Sequence, residues 1–277
     1  MLRTPRSRQV AAGVLVTLVT ALVIGVVLLA MTPVGCGPAN DRVLEETVEQ
    51  SYKIEPTTSI SIKNVDGSIQ VYGSPGHEMT LQAIKRAYSA KRLKQIAVDV
   101  SVQPGTVAIE TTFPREPRWG LLDRSGTVDY TIVVPDTASI SRLELATGEV
   151  SVEEMRGQSV HARLGTGRLF AHNCFSNVDV TMGRGSLTLA YEWWEPGKFS
   201  VQTNIADGNA WAFLPSDAAF HLIAEAVHGR IASDFTAVGE HSAQAMTKVD
   251  VLINGGGETE IRMRAAEGNI KVVEQNP

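Results

Sequence analysis

Beyond about residue 50 the chain alternates apolar and polar positions over short stretches, as in Val160-His161-Ala162-Arg163-Leu164 and Val178-Asp179-Val180-Thr181-Met182. A period of two is that of a strand with one buried face, because successive side chains point to opposite sides. A glycine follows each stretch, and a second short alternating strand follows the glycine, as in Ser186-Leu187-Thr188-Leu189. The frame x-x-Gly-x-apolar-x-apolar recurs around Gly67, Gly148, Gly167, Gly185, Gly208, Gly229 and Gly268. From Gly148 to Gly229 the successive spacings are 19, 18, 23 and 21 residues. A unit of this length buries its apolar face only against neighbouring units. The pattern predicts an all-β fold over residues 51–277, a single-stack β-solenoid (β-helix-like) with glycine at each corner. A sharp corner needs either a positive φ or the absence of Cβ where tiers stack. The repeat lapses between Gly67 and Gly148, which predicts an irregular cap in the first third.

A longer repeat lies over the short one. Val134-Pro135-Asp136-Thr137-Ala138-Ser139-Ile140 matches Leu214-Pro215-Ser216-Asp217-Ala218-Ala219-Phe220, 80 residues later. Proline ends a strand because it donates nothing to the ladder, so both copies read as turns. Helical periodicity is confined to Met79–Ile96, where an irregular apolar stripe predicts a short helix. Caps are expected at 41–60 and 272–277.

The N-terminus has a different character. Arg3, Arg6 and Arg8 precede a stretch without charge from Gln9 to Asn40, and Val10–Met31 is 22 residues of almost unbroken apolar character. At about 1.5 Å per residue such a helix crosses a bilayer core of about 30 Å. The three arginines predict a cytoplasmic N-terminus, so residues 1–31 read as tail plus transmembrane signal anchor, 32–50 as linker, and the rest as an extracytoplasmic domain. Pro33-Val34-Gly35-Cys36 supplies the competing expectation: Cys36 is the candidate lipidation residue of a lipoprotein. Either route holds the domain at a bacterial membrane.

Hydrophobic residues make up 43% of the chain and charged residues 20%, so a buried core is expected and disorder is excluded. Lys plus Arg number 25 against 30 Asp plus Glu, and the exported part, having lost three arginines, is more acidic still. General affinity for nucleic acid is therefore excluded. Two cysteines, Cys36 and Cys174, exclude a disulfide framework.

The glycine-cornered units, the Val-Pro-x-x-Ala stretch after Thr131-Ile132-Val133 and the N-terminal membrane signal resemble the bacterial adhesin-head domains, head GIN-like β-solenoids of unknown function. The similarity covers roughly residues 55–273. It implies a membrane-tethered solenoid serving adhesion or envelope-stress regulation, with no catalytic residue; neither a cofactor nor a metal is expected from the residues.

Candidate chemistry is sparse. The Val-Asp-Val and Val-Asp-Tyr triplets at Asp99, Asp129, Asp179 and Asp250 keep open a carbohydrate-active β-helix enzyme, which needs paired carboxylates. Acids between valines are equally what a half-buried strand shows to solvent. His172 and Cys174 share a strand face but are only two ligands. Gly255-Gly256-Gly257 lacks the regular aspartate of calcium-binding solenoid repeats and reads as a turn. Lys85, Arg86, Lys91, Arg92 and Lys94 form a basic run, read as a solvated face or an anion contact. Tyr191, Trp193 and Trp194 form an aromatic cluster beside Pro196-Gly197, the candidate contact for a glycan or another envelope protein. The expected function is a non-enzymatic, membrane-anchored binding, adhesion-like or scaffolding module.

Overall fold

The computed structural model describes residues 43–114, 126–235 and 246–275. The expected membrane segment and Cys36 lie outside these residues. Among the described residues no helix is long and apolar enough to cross a membrane.

The fold is all-β. In chain order the elements are β1 Leu44–Lys53, β2 Ser59–Ser74, β3 Glu78–Ala87, α1 Ala90–Gln95, β4 Ala97–Gln103, β5 Thr106–Thr112, β6 Thr127–Pro135, β7 Ser139–Glu153, β8 Ser159–His172, β9 Asn177–Ala190, β10 Ser200–Pro215, β11 Phe220–His228, β12 Ile231–Ser233, β13 Lys248–Ile253, β14 Glu260–Glu267 and β15 Ile270–Gln275. All fifteen strands join one sheet. Its centre is a parallel, almost in-register stack, β2-β7-β8-β9-β10. β5 and β6 pair with the two halves of β2, so together they form one further tier. β14 and β15 divide β10 in the same way, and β11 and β12 lie beyond them. Antiparallel strands flank the stack: β3 on β6, β1 on β3, β4 on β5, and β13 on β11.

The core follows from the alternation. In β8, Val160, Ala162, Leu164, Leu169 and Ala171 turn inward at 4% exposure or less, while His161, Arg163 and Arg168 face solvent. The inward rows of successive tiers merge into one apolar cluster running the length of the stack.

All seven glycines expected at corners stack in one column, in the spatial order 67, 148, 167, 185, 208, 268, 229. Two constraints act there. Gly167 has φ +142°, and a Cβ on it would lie 1.7 Å from the Gly148 carbonyl oxygen. Gly229 lacks the positive φ but is equally crowded, 1.7 Å from the Gly268 oxygen. Close approach of backbones is thus the common cause.

The spatial order departs from chain order at both ends of the stack. From β6 the chain passes over β2 to reach β7, and from β10 it passes over β15 to reach β11 and β12. Both crossings use the duplicated Pro-x-x-Ala segment. Ala138 N–H donates to the Pro135 carbonyl at 2.9 Å and Ala218 N–H to Pro215 at 3.1 Å. The residue after each proline reaches the end of the tier that is crossed: Asp136 N–H to the Ser74 carbonyl, and Ser216 N–H to Gln275, both at 3.0 Å. The first full tier and the C-terminal tier are thereby held inside the stack. The 272–277 segment, expected as a cap, has Val272–Gln275 in that interior tier.

Three local expectations change. Residues 44–50 of the expected linker belong to β1, whose Glu45 and Glu46 pair with Arg86 and Lys85 at 2.8 Å and whose Glu49 accepts from Gln82. Partners across the ladder make strand out of what looked like solvated acid. The Met79–Ile96 stripe divides into β3 and the single short helix α1, capped by the Ser89 side chain, which accepts from Arg92 N–H. The basic run is dismantled: Lys85 is buried with Nζ on Glu46, Arg86 reaches Glu45 and Asp129, and Arg92 donates to the Pro114 carbonyl.

Candidate functional site

Of the three aromatics singled out by sequence, one is at the surface. Tyr191 is 1% exposed, its hydroxyl donating to the Cys174 carbonyl at 3.0 Å, and burial drives its phenol well above the ordinary range. Trp194 packs against Tyr191, Phe199 and Phe220. These two rings belong to the core. Trp193 is 38% exposed and donates its indole N–H to Glu195 at 2.8 Å. Glu195 is also gripped by both terminal nitrogens of Arg156, whose guanidinium lies 5.2 Å over the Phe175 ring. The hydrogen bond from Arg156 holds the Glu195 carboxyl below the usual carboxylate range.

The other candidates separate. Cys174 is buried, its thiol pushed up to about 12, while His172 on the outer side faces Glu153 and Glu192. They share no site. Asp129 is engaged by Arg86 and Ser68. Asp179 and Asp250 stand in one outward column, through Gln202, Arg262 and Ile223, four strands apart. At about 4.8 Å per strand that is about 19 Å, well beyond the roughly 5–9.5 Å of a glycosidase carboxylate pair. Gly255 and Gly256 form a tight turn with φ of +82° and +75°.

The register brings together a group that the sequence reading missed. On the half-strands after the glycine column, Phe170, Thr188, Trp211 and Lys271 stand side by side on β8, β9, β10 and β15. The next column is His172, Ala190, Phe213 and Val273. Phe170, Trp211 and Phe213 are half-buried yet do not pack on the core, so they face outward. Phe170 and His172 stack at 5.5 Å. Tier β9 contributes only Ser186, Thr188 and Ala190 between the aromatic ridges on β8 and β10. The ridges are two strands apart, about 9.6 Å. The only sequence signal was an aromatic at the x positions of Gly-x-apolar-x-apolar, where polar residues are the rule.

Two depressions open on this face. One of about 350 Å³ is lined by Phe170, Ser186, Thr188 and the Arg168–Glu149 ion pair, among others. The second, about 370 Å³, lies past Trp211 and holds Asn209, Asn269, Arg230 and Lys271 with no acidic residue. The asparagines form a ladder: Asn209 Oδ1 accepts from Asn269 N–H at 2.9 Å, and Asn269 Oδ1 from Arg230 N–H at 3.0 Å.

No family model matches the chain, and no curated protein matches it. Solved structures do resemble it. A candidate cell adhesion protein from Clostridium sporogenes is 16% identical with a TM-score of 0.47, covering 83% of this chain and 100% of its own. A candidate adhesin from Bacteroides fragilis is 12% identical with a TM-score of 0.28, covering 82% and 97%. A candidate lipid-binding protein from Parabacteroides distasonis is 11% identical with a TM-score of 0.31, covering 83% and 93%. At these scores the likeness assigns neither family nor activity to this chain.

Proposed function

We propose that the chain is a membrane-tethered, extracytoplasmic β-solenoid that works without catalysis as a binding or scaffolding module of a bacterial envelope. The coil is supported by connection lengths. Straight, β8 would span about 46 Å at 3.3 Å per residue, yet the next tier begins in register five residues after it ends, within about 18 Å of chain. The strand therefore turns back at its glycine, and the connection closes a third side. The tether rests on the three arginines before 22 apolar residues. The observation that carries the binding role is the outward aromatic ridge pair, since side chains that fill no core lose apolar contact unless something covers them.

The test is retention of the full-length chain, in detergent, on envelopes of the producing organism. Thr188→Tyr, which fills the trough between the ridges, should abolish retention, while His161→Tyr on the other half-strand should leave it intact. Absence of retention, or retention indifferent to Thr188→Tyr, overturns the reading. An intact mass beginning at Met1 or Leu2 is expected for the anchor, and one beginning at acylated Cys36 replaces it with a lipid.

A further inference from the structure

The binding face carries more information than its aromaticity. The Trp211 indole N–H and the Ser186 and Thr188 hydroxyls make no hydrogen bond within the described residues, and none of the three is sealed in the interior. Lys271 and Arg230 make no ion pair among the described residues, although the chain has more acids than bases and seven of the ten arginines among the described residues are paired. Every one of these free groups can donate, and the indole and the two cations can only donate. A ligand that satisfies them must be rich in acceptors and bear negative charge.

The aromatic planes narrow the class further. Phe170 and Trp211 offer flat apolar faces two strands apart, with hydroxyls between them and cations beyond Trp211. Such alternation suits a chain of rings with apolar C–H faces and polar rims. An isolated phosphate would use the cations and ignore the ridges, and a lipid surface would leave the hydroxyl floor and the Asn209–Asn269 ladder unused.

We infer that the trough between the β8 and β10 ridges and the depression beside it form one site for an acidic glycan, a carboxylate-bearing polysaccharide lying across the tiers. Sugar faces stack on Phe170 and Trp211, ring hydroxyls take the Thr188, Ser186 and Trp211 donors, and a uronate carboxylate meets Lys271 and Arg230. The inference rests on the binding role proposed above and specifies its ligand.

The test is affinity electrophoresis of the full-length chain in gels containing polygalacturonate, alginate or hyaluronate, with dextran and galactomannan as neutral comparators. At least one acidic polymer should retard the chain with apparent affinity tenfold or more above either neutral one. Trp211→Ala and Thr188→Tyr should abolish the shift, and Lys271→Gln should weaken it several-fold and reduce its salt dependence. Thr188→Tyr guards against misfolding, because it adds an outward side chain to a strand that favours it, with unchanged circular dichroism as the control. Retardation by none of the acidic polymers, equal retardation by the neutral ones, or a shift surviving both Trp211→Ala and Thr188→Tyr overturns the inference. Binding to anionic lipid vesicles in place of the polymers does the same. If envelopes still retain the chain while the polymers do not, the glycan assignment alone fails; if neither does, the binding role fails with it.

Discussion

Replacing Gly167 by alanine tests the stacked corner directly. Two costs arise. At φ +142° a residue with a Cβ occupies backbone space that is essentially glycine's, at about 1–3 kcal/mol. The new Cβ would also lie 1.7 Å from the Gly148 oxygen, where real Cβ atoms keep beyond 3.0 Å, so tiers β7 and β8 must part by more than ~1 Å. Parting them weakens the flanking backbone hydrogen bonds, and losing two at about 1 kcal/mol each brings the total to about 3–5 kcal/mol. For a domain of this size that is a fall in Tm of roughly 10 °C. Thermal unfolding followed by far-ultraviolet circular dichroism measures it. Gly105→Ala is the control: Gly105 has φ +72° with nothing within 4 Å of a Cβ, so only a backbone cost of about 1–2 kcal/mol applies. Both variants share the same gain from a stiffer unfolded chain. If Gly167→Ala unfolds no earlier than Gly105→Ala, the close approach of tiers does not govern the corner.

Four further outcomes follow from the structure. Tyr191→Phe leaves the buried Cys174 carbonyl without its hydroxyl donor and should cost about 1–2 kcal/mol in urea unfolding, whereas no change would show that water replaces the bond. Glu195 has a folded pKa below its ordinary value of about 4.5, so it adds stability above that pH and loses it as pH falls through the lower folded value. Glu195→Gln should therefore be less stable than the parent at neutral pH and converge with it in acid; a constant difference refutes the linkage. Cys174, with its thiol pushed up to about 12, should escape iodoacetamide in the native protein and react in urea, as read by peptide mapping. A chain ending after Gly257 lacks β14 and β15, which lie between β10 and β11, so β11–β13 should lose amide-exchange protection as well; retained protection there would contradict the crossing.

The repeat was legible because its two requirements are local. Alternation assigns a buried and an exposed face, and glycine is demanded wherever backbones touch, so Gly67 to Gly268 mark the points of closest stacking without any knowledge of their neighbours. β1 was hidden for the opposite reason. Glu45, Glu46 and Glu49 look like solvent-facing linker until Arg86, Lys85 and Gln82 stand across the ladder. The Tyr191 cluster misled in the same way, since nothing within Tyr191-Glu192-Trp193-Trp194 distinguishes the rings that reach Phe199 and Phe220 from the one left outside.

By itself, then, the sequence determined the all-β class, the tier length, the positions of the stacked glycines and the two proline turns. Only the tertiary structure decided the order of the tiers. The 80-residue duplication announces a turn in both places, but a turn carries no statement of which strand its chain will next pair with. That choice depends on β2 and on β14 with β15, segments far along the chain that occupy the place beside β7 and β10 and oblige the chain to cross them. The binding face has the same origin. Phe170, Thr188, Trp211 and Lys271 are scattered over 102 positions, and parallel pairing, whose register depends on every tier at once, sets them side by side.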